Sequence, residues 1–170
     1  MTNKNIKSSY GFTLIELLVV IAVIAVIAGV LVMQIRPNLI VQKGRDSKRL
    51  QDVNTLSKAL NLALAEDEIT LTANGSSCTT CSSSTGTLVA TGAGYVKFVI
   101  PLGKTGLSKY LSTLPVDPTN SGVYIYKFGS TVTDFELNTV FEHPDNANLM
   151  STDGGNSATT YEIGSNLSIL

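Results

Sequence analysis

The chain is 170 residues long, carries a formal net charge of -1 and contains 44% hydrophobic residues, with one histidine, two cysteines and no tryptophan. That length suits one domain with an appendage, and the lack of a basic excess argues against nucleic acid as a main ligand. His143, Cys78 and Cys81 are too few for a four-ligand zinc site, and a Ser/His/Asp triad would rest on a histidine beside a proline, so composition leans away from an enzyme.

The apolar residues are concentrated near the N-terminus. From Phe12 to Ile35, 20 of 24 residues are hydrophobic, and Leu17 to Met33 is a 17-residue run without charge. At ~1.5 Å per residue the longer stretch spans about 36 Å, enough to cross a bilayer core of ~30 Å. Three kinds of segment fit: a cleaved secretory signal, a plain signal anchor, or a leader whose apolar part stays on the mature protein. Lys4 and Lys7 form a basic n-region, and Val26-Ile27-Ala28 would pass as a cleavage site. Glu16 argues against the secretory signal, because a carboxylate in an apolar span is costly and reads as functional by default. Thr13-Leu14-Ile15-Glu16 also fits the S/T-x-x-E capping box, so on these residues alone helix capping and a specialised role remain equally open.

The run Lys7-Ser8-Ser9-Tyr10-Gly11-Phe12-Thr13-Leu14-Ile15-Glu16-Leu17-Leu18-Val19-Val20-Ile21 resembles the class III signal of type IV pilins and type II secretion pseudopilins. That family has a short basic leader ending in glycine, then phenylalanine, then glutamate at the fifth position after the cut, then an apolar helix. The resemblance implies cleavage between Gly11 and Phe12 by a prepilin peptidase and N-methylation of the Phe12 amine. It also implies an assembly role for Glu16, paired with the free Phe12 amine of a neighbouring subunit, since ammonium and carboxylate relieve each other at low dielectric. The partners it implies are other copies of the chain, minor pilins, an inner-membrane platform and an assembly ATPase. The protein would be a single-pass inner-membrane protein with its head outside the cytoplasm, then part of a surface or periplasmic filament. A simple positive-inside count runs the other way, because Arg36, Lys43, Arg45, Lys48 and Arg49 follow the span; long domains, however, translocate largely regardless of charge.

Beyond the span, Leu50, Val53, Leu56, Leu60 and Ala63/Leu64 repeat at three and four, while Lys48, Arg49, Gln51, Asp52 and Lys58 take other faces, which predicts an amphipathic helix. Joined to the span it would be a 54-residue helix from Phe12 to Ala65, kinked or opened by one turn at Pro37. A membrane anchor and a separate domain helix meeting at Pro37 would give the same burial pattern.

Residues 72–94 are rich in Ser, Thr and Gly and read as an exposed loop with too little apolar surface to order itself. Cys78-Thr79-Thr80-Cys81 has C-x-x-C spacing, but lies outside the strand-to-helix context that activates a redox pair; outside the membrane a local disulfide is expected. Tyr95 to Ile100 is a predicted strand, Leu107 to Leu111 a helical turn, and Leu114 to Asn120 a rigid two-proline turn. Gly122 to Phe128 and Asp134 to Phe141 read as an antiparallel hairpin, with Thr160 to Ile163 as a closing strand. Leu-Pro-x-Asp-Pro before a Tyr-rich strand resembles the head of major pseudopilins, some of which bind calcium. Asp145, Asn148, Asp153 and Asn156 could supply hard oxygens of that sort, although such clusters are usually turns.

The divisions are a leader at 1–11, a transmembrane and assembly helix at 12–36, an amphipathic helix at 37–68, a loop at 69–94 and a β-rich head at 95–170. The fold class is α+β, a long protruding helix packed on a small antiparallel sheet, as in pilins. Arg36 to Lys58 holds six basic and two acidic residues, whereas Tyr110 to Leu170 holds seven acidic residues and Lys127 alone. The expectation is that the basic stretch of one subunit meets the acidic head of another. The reading is a structural filament subunit without catalytic residues; the alternative is a single-pass anchored binding or enzymatic domain outside the cytoplasm.

Overall fold

The computed structural model describes residues 11–34 and 36–170. The leader residues Lys4 and Lys7 lie outside the described residues. The chain divides into two units, Met1–Asn38 and Leu39–Leu170. The first carries α1 (Leu14–Gln34), and the second is an α+β head.

Helix α2 (Pro37–Ala65) begins on its proline, where a missing N–H costs nothing, and Arg36 before it is not helical. The non-helical backbone of Arg36 is in keeping with the bias of a pre-proline residue against helix. At the other end Asp67 adopts φ 53°. The Glu68 N–H then reaches the Ala63 carbonyl at 2.8 Å and the Asp67 N–H the Leu64 carbonyl at 3.2 Å, the pair of bonds that closes a Schellman motif.

The α2 stripe Val53, Leu56, Ala59, Leu60 and Ala63 is buried against the body of the head, where Tyr95, Leu107, Tyr126, Phe128, Phe135 and Leu137 complete the core. Val53, Leu56, Leu60 and Ala63 are positions the three-and-four repeat selects; Ala59 is not among them, and Leu50 and Leu64, which are, stand half-buried. The same helix buries three charges: Asp46 at 2% exposure, and Arg49 and Asp52 at 0% and 6%. That corrects the solvated faces expected of Arg49 and Asp52.

The head holds two antiparallel sheets. One pairs β1 (Thr70–Leu71) with β2 (Phe98–Val99). The other has the order β3 (Lys127–Ser130), β4 (Phe135–Thr139), β5 (Tyr161–Gly164), and a short helix α3 (Ala147–Ser151) precedes β5. The expected hairpin and closing strand are present, but the hairpin's first strand starts at Lys127 rather than Gly122. Gly122 at φ 61° and the reciprocal Ser121–Tyr124 backbone bonds make a tight turn there instead. The predicted strand at Tyr95 to Ile100 is likewise only two residues long, although Tyr95 and Val96 are fully buried.

Residues 72–94 are not the self-disordered loop their composition suggests. The Ser83 N–H donates to the Tyr126 carbonyl at 2.9 Å, the Phe128 N–H to the Cys81 carbonyl at 2.9 Å, and Asn74 exchanges both backbone bonds with Ser130. The segment thus occupies the outer edge of β3, and tertiary pairing supplies the order that its own apolar content does not.

Candidate functional site

Thr13 and Glu16 form the capping box at the start of α1. Glu16 Oε2 accepts from the Thr13 N–H at 2.8 Å and from the Thr13 hydroxyl at 2.7 Å, and the Glu16 N–H donates back to Thr13 Oγ1 at 3.3 Å. These bonds satisfy amide donors that a helix N-terminus otherwise leaves unpaired. All of them fall on one carboxylate oxygen. Among the described residues Oε1 accepts none, and a carboxylate has lone pairs to spare for a second partner. Gly11 and Phe12 precede the cap and are exposed.

Along α1 as far as Leu31 the apolar residues stand uncovered, with Leu14 at 83%, Ile15 at 69% and Val26 at 68% exposure. Glu16 is the one charged residue of the helix. A 21-residue helix is about 32 Å long, and one that is apolar on every side belongs in a bilayer or among other helices. Among the described residues it is the one helix long and apolar enough to cross a membrane.

In the head, the basic stretch on α2 meets acidic residues of its own chain. Arg49 is fully buried. Its Nε and Nη2 donate to the two oxygens of Asp117 at 2.7 and 2.9 Å, its Nη1 to Asp46 at 3.0 Å, and its Nη2 also lies 2.7 Å from Glu142. The guanidinium stands 5.0 Å from the centre of the Tyr124 ring. Arg45 adds a bidentate pair with Glu142, and Lys48 pairs with Asp52, which also accepts from the Tyr126 hydroxyl at 2.9 Å. Asp46 in turn accepts the N–H groups of Glu142 and His143, both at 2.8 Å.

Burial opposes the Arg49 cation, but bonds to Asp117, Glu142 and Asp46 outweigh it and raise its pKa. Arg45, then Arg49, holds the Glu142 carboxyl down at about 2. The expected pairing of a basic helix with the acidic head of another subunit is therefore corrected for Arg45 and Arg49, whose partners are Asp117 and Glu142 of the same head. A signal for this was present in the sequence. Arg49 lies four and seven residues before Val53 and Leu56, on the buried stripe, where a guanidinium must find carboxylates.

Cys78 and Cys81 are joined by a disulfide with Cα atoms 5.4 Å apart. Of the four oxygen-bearing residues considered for calcium, Asp153 has both carboxylate oxygens engaged, by the N–H groups of Gly155 and Glu162 at 2.9 and 2.7 Å. The side chain of Asp145 is largely exposed, 3.6 Å from Lys43, and the Asn148 carbonyl accepts from Ser151 and Thr152, while Asn156 is exposed. Among the described residues no three His, Cys, Asp or Glu side chains cluster closely enough to hold a metal.

The three-stranded sheet buries a second polar group that periodicity did not expose. Alternation puts Phe135 and Leu137 on the core face, and therefore Glu136 and Asn138 on the other, at 0% and 7% exposure, with Glu162 of β5 beside them at 2%. Burial, then the neighbouring Glu136, raises the Glu162 pKa. A strict in-out reading assigns such residues to solvent, and only the chain segments folded over that face bury them.

No curated protein and no solved structure is significantly similar to the chain. The family model of the prokaryotic N-terminal methylation motif matches residues 6–32, a stretch that takes in most of α1 and none of the head. On its capped, uncovered apolar helix the chain therefore carries the prepilin-type signature found in type IV pilins and pseudopilins.

Proposed function

We propose that this chain is a structural subunit of a type IV pilus-like filament or a type II secretion pseudopilus. A prepilin peptidase cuts between Gly11 and Phe12, and the new Phe12 amine is methylated. An inner-membrane platform and its ATPase then draw the subunits, together with minor pilins, into a helical polymer of N-terminal helices whose heads lie outside the cytoplasm. The observation that carries this reading is the methylation motif over residues 6–32, which coincides with a helix uncovered on all sides and charged only at Glu16.

The capping box does not compete with assembly. Thr13 uses Oε2, so Oε1 remains for an ammonium from an adjoining copy. In hydrocarbon each charge is costly alone, and the pair is far less so. The uncut precursor has a peptide bond where the ammonium would be, which makes cleavage the licence for assembly.

Sequencing and mass analysis of the mature protein test the first step, with a start at Phe12 and one added methyl group expected. Two variants separate the roles of Glu16. Glu16→Gln keeps a side-chain oxygen for the capping box but has no charge, whereas Glu16→Ala loses both. Both are expected to be processed normally and to assemble poorly. Normal filaments from Glu16→Gln would reduce Glu16 to a helix cap, and a mature chain starting at Met1 would overturn the whole reading.

A further inference from the structure

The outer face of the three-stranded sheet floors a cavity of about 690 Å³, within the size range of small-molecule sites. Across that floor the register places Lys127 of β3 opposite Asn138 of β4, and Asn138 opposite Glu162 of β5. All three residues line the cavity. Strands lie about 4.8 Å apart, so the backbones of Lys127 and Glu162, at the two ends of the row, stand about 10 Å apart. Asn138 Oδ1 and Glu162 Oε1 are buried and have no hydrogen-bond partner among the described residues. Unsatisfied buried acceptors cost about 1–3 kcal/mol each, and a ligand that donates to them recovers that cost. The walls are apolar at Val123, Ile125, Val140 and Leu170.

We propose that this cleft binds a small zwitterion with an apolar side chain, an amino acid or dipeptide whose ammonium donates to Glu162 and Asn138 and whose carboxylate meets Lys127. The polarity of the row selects this class. Acceptors alone would suit any cation, but Lys127 at the opposite end repels a simple cation and attracts an anionic group. Glu136, beside Glu162 on the same face, holds the Ile169 and Leu170 N–H groups at 2.7 and 3.0 Å through Oε2, so the C-terminal segment is tied down along one wall. The Glu162 carboxyl, pushed up by burial and by Glu136, gains from an ammonium the counter-charge that the described residues do not provide. This inference concerns the head alone and stands whether or not the chain polymerises.

The test is calorimetric titration of the full chain in detergent with glycyl-leucine. Saturable binding is expected. N-acetylation of the probe removes the ammonium, amidation removes the carboxylate, and each change is expected to weaken binding roughly tenfold, the scale of one charge-assisted hydrogen bond. Lys127→Gln, at an exposed position that leaves the fold intact, is expected to weaken glycyl-leucine roughly tenfold while leaving the amidated probe unaffected. Glu162→Gln is expected to do the converse, sparing the acetylated probe. Failure of glycyl-leucine to bind at tens of millimolar overturns the proposal. So does binding that is indifferent to blocking of either end and to Lys127→Gln.

Discussion

Replacing Arg49 with methionine exposes what holds α2 to the head. The substitution conserves apolar length but leaves Asp46, Asp117 and Glu142 facing one another in a cluster where Arg49 is fully buried. Removing one partner of a buried ion network costs about 3–5 kcal/mol, because the desolvation of the stranded charges is no longer offset. For a head of this size that corresponds to a fall of roughly 10–20 °C in Tm. Near-UV circular dichroism of the full chain in detergent, followed with temperature, reports on the buried Tyr95 and Tyr126. The dependence on pH distinguishes this mechanism from simple loss of packing. The deficit is greatest at neutral pH and shrinks in acid, where Glu142 is protonated and an Arg49 partner is worth less. The parent chain itself loses stability in acid. Arg49→Lys keeps the charge but not the planar fork that serves Asp117, and should fall between the two. A deficit for Arg49→Met of less than about 1 kcal/mol, or one that does not diminish towards acid, would refute the reasoning.

Glu142 sets the acid limb of the parent chain. Its folded pKa of about 2 lies below the ordinary 4.5, so its contribution is complete above pH 4.5 and disappears as pH falls towards 2. Linkage puts that contribution at about 3 kcal/mol at most, and acid titration of Glu142→Gln should show a flatter limb. Reducing the Cys78–Cys81 disulfide releases a ring of four residues, for which chain entropy gives about 2 kcal/mol, measurable as a shift in the denaturant midpoint with and without reductant. At Gly164 a Cβ would lie 2.1 Å from the Phe135 carbonyl oxygen, so Gly164→Ala has to push β5 off β4. It should cost about 1–3 kcal/mol or more by the same melt, while Gly75→Ala, which meets nothing within 4 Å, stays within about 0.5 kcal/mol.

The N-terminal half of this molecule is legible in its sequence because its physics is local. An apolar run needs no partner to declare itself, and Thr13 and Glu16 find each other three residues apart whatever the head does. The stripe of Val53, Leu56, Leu60 and Ala63 is legible for the same reason, since one helix turn fixes which residues share a face. What the periodicity left out is long-range. Arg49 meets Asp117 across 68 positions and Glu142 across 93, and nothing near α2 in the sequence says which carboxylates will arrive.

The head shows the same division more sharply. Its strands are two to five residues long, too short for alternation to fix their ends, and residues 72–94 gain order from the edge of β3 rather than from their own composition. Glu136, Asn138 and Glu162 alternate with core residues as solvent-facing residues would, yet Glu162 accepts from the Ser157 N–H at 3.0 Å, and Glu136 accepts from Ile169 and Leu170. Segments from outside the sheet therefore close over its polar face and turn residues that elsewhere serve solubility into a buried row with acceptors still unsatisfied. Glu136 and Glu162 each spend one carboxylate oxygen fastening those segments, but Asn138 Oδ1 and Glu162 Oε1 stay unpaired beside the cleft, a desolvation cost that a bound molecule with donors of its own would recover.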